Sequence, residues 1–136
     1  GLTTRDGKAV LVFDADLDGR LDVLITTPGT SPELFHNETA AAGHHLRVRV
    51  RGTRSNHDGL GAVVTIRPVA DGPVITREVT STTGYLAWSE TVVHVGLGDR
   101  IAPVAEVEVL FPASGRRVVR RDVPVDQTLE IVEPDS

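Results

Sequence analysis

The sequence predicts an all-β fold in two parts, a short strand-loop-strand segment over residues 1–43 followed by an antiparallel β-sandwich over residues 44–136. Three observations lead there. Apolar residues recur with a period of two or in short β-branched runs, most clearly in Leu46, Val48 and Val50 set against Arg47, Arg49 and Arg51. Clusters of Gly, Pro, Asn and Asp cut the chain at intervals typical of sandwiches and barrels. No stretch carries a convincing helical repeat of about 3.6 residues.

Taken in order, the first strands are expected at Ala9–Phe13, Leu21–Thr26 and Glu33–Asn37. The small residues Thr39-Ala-Ala-Ala-Gly43 then mark a boundary. Three strands are too few to close a sheet or bury both of its faces, so this segment presents an edge that invites pairing. Beyond it come His45–Arg51, Ala62–Pro68 and Val74–Thr80, the last two joined through Ala70-Asp-Gly-Pro73 as a hairpin connection. Thr91–Val95 follows, then Val104–Phe111 and Arg116–Val123 on either side of Pro112-Ala-Ser-Gly115, and finally Thr128–Val132. Seven strands suffice for an independent sandwich.

Composition narrows the function classes. A chain of 136 residues, 40% of them hydrophobic, has room for a packed core. No apolar run approaches the roughly 20 residues that cross a bilayer, and the first residues lack the pattern of a secretory signal, so no membrane partner is expected. Cysteine is absent, which removes disulfides and thiolate chemistry. The net charge of −5 is uneven, because residues 1–40 hold three basic side chains against seven acidic ones. That argues against a nucleic-acid partner, which wants a basic footprint, and suits a bound cation.

The acidic residues gather in Asp14-Ala-Asp16-Leu-Asp18-Gly19-Arg20-Leu-Asp22. A hard ion such as Ca2+ takes roughly six to eight oxygens, and a turn supplies them when carboxylates alternate along it. Asp14, Asp16 and Asp18 alternate, Gly19 permits a sharp turn, the Arg20 carbonyl can face the ion, and Asp22 returns a fourth carboxylate; water completes the shell. An EF-hand loop begins similarly but ends in Glu at its twelfth position between helices. Here the twelfth residue is Ile25, and the flanks Val10–Phe13 and Leu21–Ile25 read as strands. The competing explanation, a turn rich in Asp for its bending chemistry, leaves four like charges within nine residues without a counterion.

This loop, with Val23-Leu-Ile-Thr26 and Glu33-Leu-Phe-His-Asn37 after it, resembles an FG-GAP or VCBS repeat. From His45 to Glu133 the chain resembles the ASPIC/UnbV domain, through Ser55-Asn-His-Asp-Gly-Leu-Gly61, Arg77-Glu-Val79, Gly84-Tyr-Leu-Ala-Trp-Ser89, His94-Val-Gly-Leu-Gly98, Val107-Glu-Val-Leu-Phe-Pro112 and Asp126-Gln-Thr-Leu129. The first resemblance implies a partial β-propeller blade with Ca2+ held by Asp14, Asp16, Asp18, the Arg20 carbonyl and Asp22. Family members carry several such repeats, so a lone blade implies that the remaining blades come from another polypeptide or that the blade packs as an extra sheet. The architecture includes cartilage acidic protein and UnbV-type proteins of enediyne antibiotic pathways. It implies an extracellular or cell-surface setting for the former and a cytoplasmic one for a biosynthetic accessory.

Other residues offer chemistry of their own. Asn56 and Asp58, in the Ser55–Gly61 loop, offer oxygens for a cation or ligand, yet Asn and Asp-Gly are ordinary turn chemistry. Tyr85 and Trp88, the only Tyr and Trp, could stack on a sugar or aromatic natural product, although core packing is favoured for them. His44 and His45 are adjacent, which on a regular strand points them to opposite faces. His94 fits a hydrogen-bonded structural role, and Arg116, Arg117, Arg120 and Arg121 the solvated edge of a strand. No nucleophile stands beside a base in a recognisable motif. The leading expectation is a calcium-stabilised, non-catalytic binding or assembly module with a protein or carbohydrate partner. The alternative is an accessory protein or enzyme of enediyne-type biosynthesis that receives a polyene or aromatic intermediate near Tyr85 and Trp88.

Overall fold

The alternation of β-branched and polar residues produces strands throughout the computed structural model, which describes residues 7–40, 43–82, 84 and 87–135. Among the described residues there is no helix. The strands are β1 (Ala9–Phe13), β2 (Asp22–Thr26), β3 (Glu33–Phe35), β4 (His44–Arg51), β5 (Val63–Arg67), β6 (Ile75–Glu78), β7 (Val93–Gly98), β8 (Val104–Phe111), β9 (Arg116–Val123) and β10 (Gln127–Val132). Each expected strand forms, most of them within one or two residues of the expected ends. The chain divides into two compact units, one of Gly1–Ala42 with Ser81–Glu90, the other of Gly43–Thr80 with Thr91–Ser136.

In the first unit β1, β2 and β3 form an antiparallel sheet in that order. Phe13 pairs with Asp22, so the acidic segment is the loop of the β1–β2 hairpin. Val10 and Val12 pair with Ile25 and Val23 and share their face, while Leu24 pairs with Leu34 on the other. Both faces are therefore apolar, as in strands meant to be covered twice. Val10, Val12 and Leu34 nevertheless remain about half exposed. In the same unit the Ser89 amide donates to the Ser81 carbonyl at 2.7 Å, and Gly84 bridges Ala87.

The second unit holds two sheets, ordered β10-β4-β7 and β6-β5-β8-β9. Their inward residues share one core, to which β4 gives Leu46, Val48 and Val50, β5 gives Val64 and Ile66, and β8 gives Val107, Val109 and Phe111. Burying each such side chain is worth about 1.5–3 kcal/mol against leaving it in water. The expected arrangement was antiparallel throughout, and here the structure differs: β10 pairs with β4 in parallel, Gln127 opposite Leu46 through Val132 opposite Arg51. The pairing is open to either direction because β10 follows β9 of the other sheet and is not joined to β4 by a hairpin, the connection that would force an antiparallel pair. The Asp126 amide pins that entry by donating to the His45 carbonyl at 2.7 Å.

Leu46 is fully buried, whereas Val119 on the edge strand β9 is 37% exposed. Leu46→Ala should cost about 2–5 kcal/mol in urea unfolding and Val119→Ala under about 1 kcal/mol. Equal losses would show that the core is not centred where the two sheets meet.

Candidate functional site

The β1–β2 loop is closed by its own carboxylates. Gly19 takes φ of 88°, a left-handed conformation that glycine adopts without steric cost, and Leu17 takes φ of 64°, where a side chain is strained. These turns aim the Asp18 and Gly19 amides at the two oxygens of Asp14, each at 3.0 Å. The Asp18 amide is shared with Asp16 at 3.3 Å, and Asp18 in turn accepts from the Arg20 amide at 2.8 Å. The Arg20 guanidinium folds back onto the Asp18 carboxylate.

Asp22 is fully buried. Its Oδ2 accepts from the Ala15 amide at 3.0 Å and its Oδ1 from the Asn37 amide at 2.8 Å. Those two amides, helped by His36, hold its pKa below the usual carboxylate range even though burial works the other way. His36 places Nδ1 3.0 Å from Asp22 Oδ1 and Nε2 3.5 Å from Asp16 Oδ2. One ligand atom from each of Asp14, Asp16 and Asp18 lies within 4.8 Å of the others, and the same is true of Asp16, Asp22 and His36. The structure thus brings the four expected aspartates into two clusters that share Asp16. His36 is the residue that sequence reasoning missed. Its signal was the β2–β3 register, which pairs Val23 with Phe35 and so carries His36 to Asp22.

The remaining candidates separate. Asn56 Oδ1 accepts from the Asp58 and Leu60 amides at 3.0 and 3.3 Å, and Asp58 contacts His57, so this oxygen is spent on the turn. A cavity of about 210 Å3 opens beside it, walled by Gly59, Leu60, Ala62, Phe111 and Pro112 with Ser55 at its edge. Trp88, expected in the core, is 65% exposed, because the neighbouring Ala87 and Ser89 take the inward positions. Tyr85 lies outside the described residues. The expectation for His44 and His45 also fails: the ladder shifts register here, with Leu97 of β7 the extra residue between the His44–Gly98 and His45–Gly96 pairs, and both histidine rings reach Asp126, at 2.6 and 3.3 Å. The His44 ring and the His45 amide lower the Asp126 pKa. His45 further stacks on His94, centroids 5.5 Å apart.

A second buried carboxylate, unforeseen from sequence, closes the Thr53–Ser55 turn. Glu133 is 1% exposed. Its Oε2 accepts from the amides of Thr53, Arg54 and Ser55 at 2.9, 2.9 and 2.8 Å, while Oε1 accepts from the hydroxyls of Ser55 and Ser114 at 2.9 and 2.5 Å. Gly52 makes the turn possible, for a Cβ there would stand 2.2 Å from the Asn56 carbonyl oxygen. Burial pushes the Glu133 pKa up, but the hydrogen bonds from Ser114, Ser55 and Arg54 outweigh it and bring the value from 4.5 to about 2.

Residues 52–136 match the family model described as ASPIC and UnbV, a range that contains Glu133 and its turn but not the acidic loop. No curated protein matches the chain.

Because folding depresses the Glu133 pKa, the stability it contributes is complete above about 4.5 and disappears as pH falls toward about 2. The urea midpoint should therefore drop across that window. Glu133→Gln, already weaker at neutral pH because Gln brings an N–H group into a nest of donors, should show a flatter acid slope. Parallel slopes for the two proteins would remove Glu133 from the account.

Proposed function

Since the chain belongs to the ASPIC and UnbV family, we propose that it is a non-catalytic binding or assembly module whose first unit is a propeller-type blade stabilised by Ca2+ and whose second is a β-sandwich. The observation that carries this reading is the convergence of Asp14, Asp16 and Asp18 within 4.8 Å of one another, next to the buried Asp22. Their hard, anionic oxygens fit Ca2+, and the loop's own amides already hold them close together. Asp14, Asp16, Asp18, the Arg20 carbonyl and Asp22 would hold the ion, with water completing its shell. The ion would supply positive charge to a unit with three basic and eight acidic residues.

The exposed Val10, Val12 and Leu34 support a protein partner, because a three-stranded sheet with apolar residues on both faces gains from being covered. Further blades carried on another polypeptide would meet that need. A second reading rests on Trp88, whose exposed indole is free to stack against a carbohydrate or an aromatic intermediate such as an enediyne precursor.

Ca2+ should raise the melting temperature of the EDTA-treated protein by several degrees, equivalent to about 2.7 kcal/mol at a hundredfold excess over Kd. Asp16→Ala and Asp18→Ala should abolish the response. Identical melting curves in EDTA and millimolar Ca2+ would refute the metal reading. Trp88 is the only tryptophan, so its fluorescence tests the second reading directly. Quenching by an aromatic or sugar ligand, together with calorimetric binding of that ligand that is lost in Trp88→Ala, would favour it, and unchanged emission would exclude it.

A further inference from the structure

Small residues leave the second unit's core open beside Phe111. Phe111 and Ala62, both buried, line the cavity of about 210 Å3 together with Gly59, Leu60 and Gly61. Gly59 lies flush on β4, where a Cβ would stand 2.8 Å from Val50 Cγ1. At Gly61 a Cβ would meet nothing within 4 Å. The loop is thus fastened at one glycine and hollow beside the other. Glu133 braces both walls: it accepts the Thr53, Arg54 and Ser55 amides, which lead into one wall, and the hydroxyl of Ser114, which follows the other. A cavity braced in this way is formed before any ligand arrives, which lowers the ordering cost of binding.

Asn56, also on the lining, supplies a polar group. Its Oδ1 accepts the Asp58 and Leu60 amides, which fixes the carboxamide and leaves Nδ2 with two N–H donors that the turn does not use. Apolar walls with one placed donor are the pattern of a small-molecule site. An apolar cavity of about 150 Å3 takes up benzene, so this one holds a ring with a short substituent. The loop amides are spent internally, Gly59 on the Asn56 carbonyl, Gly61 on Val79 and Ala62 on Gly59, each at 2.9 Å. They cannot form the ladder by which an extended peptide docks, which favours a free molecule. We propose that this cavity binds a small molecule made of one apolar ring and a carbonyl group, the ring lodged against Leu60 and Phe111 and the carbonyl accepting from Asn56 Nδ2. The site lies wholly in the second unit, so the proposal is independent of the metal reading.

The test uses the whole chain with labelled methyl groups and three probes: acetophenone, toluene, which has the ring without the acceptor, and acetylphenylalanine amide. Acetophenone should shift the Leu60 and Ala62 methyl resonances saturably, and toluene should shift the same methyls while binding roughly three- to tenfold more weakly. Asn56→Asp keeps the oxygen that the turn amides need and replaces the donor, so it should erase the preference for acetophenone. Leu60→Ala should weaken both probes. Absence of saturable shifts at Leu60 and Ala62 overturns the site. Equal affinity for the two probes, or a preference that survives Asn56→Asp, overturns the role of the carbonyl, and tighter binding of acetylphenylalanine amide than of acetophenone overturns the choice of a free molecule over a partner's side chain.

Discussion

The candidate site depends on one buried carboxylate. Asp22 gathers the Ala15 amide from the start of the loop and, from just beyond β3, the His36 ring and the Asn37 amide, so it joins two segments that strand pairing brings together. A buried carboxylate is costly unless donors replace its water, and here they do, which makes the loop's closure and the β1–β2–β3 registers a single problem. A slip of one residue in either ladder would turn Asp22 to the opposite face and leave those amides unsatisfied. The convergence of Asp14, Asp16 and Asp18 is thus set up by a residue at the back of the loop.

The second unit uses the same device to a different end. Glu133 receives three successive amides and two hydroxyls, and the Ser114, Ser55 and Arg54 groups among them hold it ionised against its burial. Successive amides of this kind form an anion-binding concavity, and in this protein the chain fills the concavity with its own side chain. With five donors on two oxygens, Glu133 is a fastening. Asp16, by contrast, is 48% exposed on its side chain and spends one oxygen on a single long contact with the Asp18 amide. Capacity left over after internal hydrogen bonding separates a carboxylate available to a ligand from one that only braces a turn.

Much of this was legible in the sequence, for physical reasons that also explain what was not. The strands were readable because their β-branched alternation is local, as at Leu46, Val48 and Val50, and the loop because carboxylate spacing is local too. His36, Glu133 and the Asp126 contacts are products of pairing between distant segments, β2 with β3 and β10 with β4, and spacing along the chain carries no trace of them. The register shift at His44 and His45 arises on the partner strand, where Leu97 of β7 is the extra residue, and nothing in the adjacency of the two histidines announces it. Trp88 departs from the burial its residue type implies because the small Ala87 and Ser89 occupy the inward positions around it.

Charge and family membership fall on different parts of the chain. The second unit is balanced, eleven basic residues against eleven acidic, so the whole net charge of −5 resides in the unit that carries the loop. The family match covers residues 52–136 and leaves that loop outside. Yet Ser81–Glu90, with Trp88, lies inside the matched range and clusters with the first unit. The family's sequence pattern therefore includes a segment whose packing belongs to the acidic unit. A function assigned to the second unit alone would omit the most exposed aromatic side chain described in the family's range, and the carboxylates whose chemistry is best defined.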